Sequence, residues 1–421
     1  MISTYRLRTF AKVLFFIILV IVNSGYMMQV STGTAQTFIQ YSTIIVFLLL
    51  AFYHFIVKRK IEKSGYNQNI FLMFTVIALI SMFVNGEQLT LYINQIAIVF
   101  IAFYIVDNYN ENRIAEIYVR TMVLISVISL LFLIWIKLFG IPTPISMIST
   151  TATENECYNY VIYFYPQLWD ASLGRNRGVF WEPGLFATFI IIALVLEVLF
   201  AERISKLRVT ILVITVISTF STAGILLLIP TAIVYIDRLS EKSKKQTFIL
   251  MLLWAVLILM VLYKDTLINA LVSINSDIFG KLLGENNSKV TRLGAPLLNW
   301  EIFLSHPIFG AGIGGATTLF QQSKLQFLAD SQTSTSLFML AAFGILGILY
   351  TVWWIMSILG QKSCSITSRV SLLFIIFAIL NKEPHIAILA TWLLLFLFEK
   401  TRHSTSLDGI RPLTKGKLGK R

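Results

Sequence analysis

Long apolar runs separated by short polar punctuation dominate the chain. A helix that crosses a bilayer needs roughly 20 mostly apolar residues. Runs of that kind lie near 9–28, 36–57, 69–85, 90–107, 118–139, 184–201, 208–221, 223–237, 246–263, 335–359, 368–381 and 385–399. The expected fold is an all-α polytopic membrane protein of about 12 transmembrane helices. Residues 208–237 read as two short helices turning at "STFSTAG", because "ERISKLR" and "DRLSEKSKK" at the two ends then stay on one side of the membrane. Two connections, 140–183 and 264–334, far exceed ordinary loop length, which marks them as functional. Residues 1–399 are expected to form a single transmembrane domain, followed by a basic, disordered tail at 400–421.

Charge gives these runs an orientation. Cytoplasmic loops of membrane proteins are enriched in Lys and Arg, and placing both termini in the cytoplasm puts the great majority of the 34 basic residues inside. The net charge of +13 then needs no nucleic-acid partner. Hydrophobic residues make up 57% of the chain and charged ones 13%, about half the share in soluble domains. Arg6, Arg8 and Lys12 before an apolar run resemble a signal peptide, but no small-x-small cleavage site follows "VNSGYMM", so an uncleaved first helix is expected. Cys157 and Cys364 make neither a disulfide framework nor a metal quartet, and the four histidines show no ligand spacing. No metal and no cofactor is expected.

The candidate chemistry sits in the two long connections. "LGRNRGVFWEPGLFATF" places Arg175 and Arg177 just ahead of a helix opened by Glu182-Pro183-Gly184. Proline suits a first helical turn, and a helix N-terminus with two guanidiniums favours phosphate. The alternative is a pair of arginines snorkelling to lipid headgroups. Glu182 reads as a general base or as a partner that orients an arginine.

The second connection holds "SKVTRLGAPLLNWEIFLSHPIFGAGIGG". Arg292 leads an amphipathic run with Leu297, Leu298, Ile302 and Phe303, suited to a helix in the membrane interface with Trp300 at headgroup depth. Asn299 and His306 fall near its polar side and its end. His306 suits proton transfer near neutral pH, or closes the helix by hydrogen bonding. Gly310, Gly312 and Gly315 match G-x-G-x-x-G, yet no strand precedes them and no βαβ unit surrounds them, which excludes a dinucleotide site. They suit close backbone packing or an anion-binding turn. Glu197, His54 and Lys137 lie near helix ends, within snorkelling reach of an interface. The chain lacks both a transporter's midplane charge chain and a P-loop.

"RNRGVFWEPGLFA", "STFSTAGILLL", "R…NW…HPIFGAGIGG" and "SLFMLAAFGILGILY" occur in an order that resembles the O-antigen polymerase family (Wzy), within the superfamily that includes O-antigen ligases. The resemblance spans residues 170–355, and the first five helices match in hydropathy alone. It implies a polymerase, a glycosyltransferase of the bacterial cytoplasmic (inner) membrane that joins undecaprenyl-diphosphate-linked oligosaccharide repeats into O-antigen or capsule. Arg175, Arg177 and Arg292 would hold the lipid diphosphate; the resemblance leaves the base unassigned, with His306 and Glu182 as the candidates from chemistry and Asn299, Gly310 and Gly312 as supporting loop residues. A chain-length regulator protein is a candidate partner beside membrane lipid. In the ligase branch a histidine often precedes the helix that begins here near Ser336. This chain has "ADSQTSTS" there, which favours polymerase over ligase. A lipid-linked oligosaccharide flippase is the alternative from another class; it would set its cations in the membrane core with short loops.

Overall fold

A computed structural model describes residues 25–30, 34–57, 65–149, 156–166, 174–238, 252, 255, 287–323, 332–382 and 385–403. Expected helices at 9–28 and 246–263, the first part of the second long connection, and the tail beyond 403 lie mostly or wholly outside those residues. Thirteen helices run α1 (Thr34–Phe52), α2 (Tyr66–Asn85), α3 (Leu89–Asn108), α4 (Glu111–Phe139), α5 (Pro183–Phe200), α6 (Lys206–Ser218), α7 (Thr222–Arg238), α8 (Asn287–Ser305), α9 (Ile313–Ser323), α10 (Thr335–Phe343), α11 (Ile348–Leu359), α12 (Ile366–Leu380) and α13 (Leu389–His403) among the described residues. The chain is a mostly helical, membrane-embedded protein. Among the described residues, five segments are long and apolar enough to cross a bilayer: α2, α3, α4, α5 and Thr335–Leu359.

The chain divides into two compact units. The first comprises Met1–Ser42, Tyr109–Leu250 and Ser404–Arg421; the second comprises Thr43–Asn108 and Met251–His403.

In the first unit α5 is the axis. Its residues are buried on every face, and α4, α6 and α7 pack around it. A helix apolar all round belongs inside a bundle. α4 is apolar on two faces for different reasons. Tyr118, Met122, Ile125 and Ser129 face inward at helical spacing, whereas Leu124, Leu131, Ile134 and Leu138 stay exposed, a stripe suited to lipid. Asn110 caps α4 by accepting from the Asn112 N–H at 3.0 Å. The expected break within 208–237 falls between Ser218 and Thr222.

Residues 146–166 depart from the all-α expectation. β1 (Ser146–Ser149), β2 (Glu156–Asn159) and β3 (Phe164–Pro166) form an antiparallel sheet in the order β1-β2-β3, with Ser146 opposite Asn159 and Cys157 opposite Pro166. Tyr160, Tyr163 and Tyr165 gather beside it with Phe132 and Ile136 of α4.

In the second unit α13 packs along α3 and α2, and α8, α9 and α10 pack on one another. The run expected as one helix at 335–359 is instead broken into α10 and α11 by a tight turn at Gly344–Gly347. The cause is a competition for carbonyls. The Ala341 and Ala342 oxygens accept from the Ala311 and Gly312 N–H groups at 2.9 and 3.0 Å, and the Ile345 N–H turns to the Pro307 oxygen at 2.8 Å. Those groups are lost to the helix's own ladder, and the α-helix is interrupted there.

Candidate functional site

The arginine loop lies in the first unit, and its clamp starts from the backbone. The Asn176 N–H donates to the Ser218 oxygen at 3.0 Å. Its side-chain amide donates to the Ser129 and Ser218 hydroxyls, both at 3.0 Å, and its side-chain oxygen accepts from the Gly178 N–H at 3.1 Å. Asn176 is fully buried, so these bonds fix the residue on which both arginines hinge. Arg175 is half-buried and donates from Nε to the Thr219 oxygen at 3.1 Å. Arg177, 7% exposed, donates to the Trp181 oxygen at 3.2 Å. These carbonyl bonds orient the two guanidiniums.

The positive field of Arg177 reaches its neighbours. Burial raises the Cys157 thiol and the Tyr163 phenol above their ordinary values, and in each case Arg177 pulls the value back down. Lys137, exposed near the end of α4, reaches over Gly174 at the start of the loop. Arg175, Arg177 and Lys137 thus share one end of the α4–α5 pair. Glu182 is half-buried and takes the N-cap position of α5, where its carbonyl accepts from the Phe186 N–H at 3.1 Å. Its carboxylate does not cap the helix.

The remaining candidates lie in the second unit. Arg292 sits on α8, and its side chain lies outside the described residues. Asn299 corrects the expected polar face. It is fully buried beside Leu298, while Leu297 and Trp300 are exposed. Its amide is paired reciprocally with Gln332, at 2.6 and 2.8 Å. His306 is exposed and closes the end of α8: its N–H bonds to the Ile302 oxygen at 3.1 Å, and Nδ1 lies 3.3 Å from the same oxygen. Of the two readings of this histidine, the helix-closing one has direct geometric support.

The glycine turn holds an anion, and the anion is internal. Glu87, in the turn between α2 and α3, accepts from the Gly315 N–H at 2.6 Å in the first turn of α9. Tyr92 donates its hydroxyl to the other Glu87 oxygen and accepts from the Ile313 N–H at 3.2 Å. A carboxylate at a helix N-terminus meets both the unpaired N–H groups and the dipole. Gly310 and Gly312 have φ of 73° and 80°, a region where side chains are strained. A Cβ on Gly310 would stand 2.3 Å from the Ala342 carbonyl carbon, and one on Gly312 would stand 2.4 Å from the Glu87 carboxyl. Close packing and anion binding are both present, and the occupant is the protein's own side chain.

Several partners escaped the reading of the sequence. Ser129, Ser218 and Thr219 clamp the arginine loop, and the only linear hint is the hydroxyl-rich "STFSTAG". Glu197 is not snorkelling: it is 2% exposed, 2.9 Å from Arg208, and accepts from the Ser205 N–H at 2.8 Å. The helix that begins near Ser336 is joined at its start by a buried histidine from later in the chain. The N–H of buried His385 donates to the Thr335 hydroxyl at 2.7 Å, and its Nδ1 hydrogen-bonds with Thr391 at 2.8 Å. No protein-family model and no curated protein matches the chain.

Proposed function

We propose that the chain is a polymerase of about 12 spans, with both termini cytoplasmic, that joins undecaprenyl-diphosphate-linked oligosaccharide repeats at the outer face of the bacterial cytoplasmic membrane. One observation carries the reading: Arg175 and Arg177 are held by main-chain carbonyls at the start of the fully buried α5, beside Lys137, at the end of two apolar spans. A lipid diphosphate presents its charge at that depth. Glycosyl transfer from it needs that charge stabilised as the diphosphate leaves and a proton removed from the acceptor hydroxyl. Preorganised arginines supply the first, and losing one such donor typically costs on the order of 10²–10³ in rate. Glu182 and His306 are the candidate bases for the second. Arg292 is assigned to the same lipid diphosphate through the family resemblance. Transfer of finished glycan to another acceptor is the second reading within the same chemistry.

Gene deletion and electrophoresis of surface glycan separate the readings. Loss of a polymerase leaves single repeats attached, and loss of a ligase leaves long chains unattached. Loss of a flippase traps lipid-linked units inside. Unchanged glycan on deletion would overturn the proposal. Arg175→Ala, Arg177→Ala and Arg292→Ala should each shorten chains at normal protein level. Wild-type ladders from all three would remove the diphosphate assignment, and full activity of His306→Ala would leave His306 structural.

A further inference from the structure

The far end of α5 from the arginine loop carries a second basic feature. The first turns of α4, the last turn of α5 and the start of α6 border an open cavity of about 790 Å³. Four arginines line it, Arg113, Arg120, Arg203 and Arg208, against three glutamates. Two of the arginines are matched within the wall. Arg208 pairs with Glu197, and Arg120 pairs with Glu116 on the exposed surface of α4. Arg113 and Arg203 have neither a salt bridge nor a side-chain hydrogen bond among the described residues. The third carboxylate, Glu202, is exposed beside Arg203 in the chain.

The wall is shaped before anything binds. The buried Glu197 carboxylate holds both Arg208 and the Ser205 N–H, which pins the connection from α5 to α6 and with it Arg203. Leu196 and Phe200 on the α5 side and Ala115 and Val119 on the α4 side back the wall and are themselves buried, which keeps it rigid. α4 begins and α5 ends at this cavity, and both are candidate spans, so it sits at the level of a membrane surface. Guanidiniums at that depth match the phosphate ester of a lipid headgroup. Arginine binds phosphate with two parallel hydrogen bonds, and basic pockets between spanning helices select anionic headgroups.

We propose that this cavity is a binding site for a phosphate group, presented by an anionic phospholipid, with Arg113 and Arg203 as its principal contacts. The inference needs only that the chain is membrane-embedded, so it survives failure of the glycosyl-transfer reading.

Native mass spectrometry of the detergent-purified full chain tests it, with phosphatidylglycerol and phosphatidylcholine of matched acyl chains, and with inorganic phosphate as competitor. The wild type should retain phosphatidylglycerol over phosphatidylcholine. The Arg113→Ala/Arg203→Ala variant should lose that preference by on the order of tenfold, the scale of one charge-assisted hydrogen bond. The Lys/Lys double variant should keep part of it, because charge remains without the bidentate fork. Both arginines are exposed, and if the double variant elutes as aggregate, the single variants should each lose part of the preference. Displacement by millimolar inorganic phosphate without lipid preference would assign the same site to a soluble phosphate. Equal retention of the two lipids with no phosphate binding would overturn the proposal, as would a preference untouched by the alanine substitutions.

Discussion

Alanine substitution along "GAGIGG" separates packing from cofactor chemistry. At Gly310 the left-handed backbone costs a non-glycine residue about 1–2 kcal/mol. The new Cβ would meet the Ala342 main chain at 2.3 Å, and main chain cannot step aside. Relief means drawing the loop away from α10, which strains the bonds from Ala311 and Gly312 to the Ala341 and Ala342 oxygens. Each such bond contributes about 0.5–1.5 kcal/mol, for a total near 3 kcal/mol. At roughly 2–4 °C per kcal/mol for a unit of 150–250 residues, Gly310→Ala should lower Tm by roughly 6–12 °C. Gly312→Ala carries the same backbone cost, and its obstacle, the Glu87 carboxyl, can turn away only by giving up its bonds to Gly315 and Tyr92, so it too should be destabilising. Gly315 lies inside α9 with no contact tighter than 3.5 Å, so Gly315→Ala should be neutral or stabilising by up to about 1 kcal/mol. The assay is thermal unfolding in detergent in a Cys157→Ser background, read by a thiol-reactive dye at buried Cys364, which reports the second unit. A nucleotide-binding motif would need all three glycines. A Gly315→Ala variant as damaged as Gly310→Ala, or a Gly310→Ala variant with wild-type Tm, would refute the packing argument.

Two further predictions address the first unit. Arg208→Ala strands the Glu197 carboxylate, 2% exposed, and should destabilise by about 3–5 kcal/mol in thermal unfolding. Adding Glu197→Gln should recover a large part of that loss, and a double variant no better than the single would argue against the buried pair. Arg177→Gln should change the pH dependence of Cys157 alkylation in a Cys364→Ser background. Burial raises this thiol and the Arg177 charge lowers it by favouring the thiolate, so removing that charge raises the thiol further and moves the rate profile to higher pH. Arg177→Lys should hold the profile near wild type; a shift to lower pH in Arg177→Gln would show the field assignment to be wrong.

What the sequence made legible follows from how far each interaction reaches along the chain. α2 and α3 were visible from run length, α5 from run length with Glu182-Pro183-Gly184 at its start, and the α6–α7 break from flanking charge. Each of these is local. The sheet at 146–166 was not visible, because strands of three and four residues are too short to show alternation. Asn299 was placed on a polar face because helical periodicity sorts amides as polar. It is buried because Gln332, 33 positions on, satisfies its amide. Arg175 and Arg177 could be named, but Thr219, which orients Arg175, lies 44 positions away.

The glycine turn shows why its pattern carries little functional information by itself. A helix start with unpaired N–H groups needs an acceptor, and glycines admit one closely whether it is a pyrophosphate or a carboxylate. The sequence specifies the glycines locally but leaves the acceptor open. Here it comes from Glu87, 228 positions before Gly315, with Tyr92 bridging to the same helix start. The second coordinate that settles the matter is packing. A cofactor loop must keep its backbone face open, whereas Ala311 and Gly312 spend their N–H groups on the α10 carbonyls and break a membrane helix in doing so. "HPIFGAGIGG" is therefore a joint that ties α8, α9, α10 and the α2–α3 turn together inside the second unit.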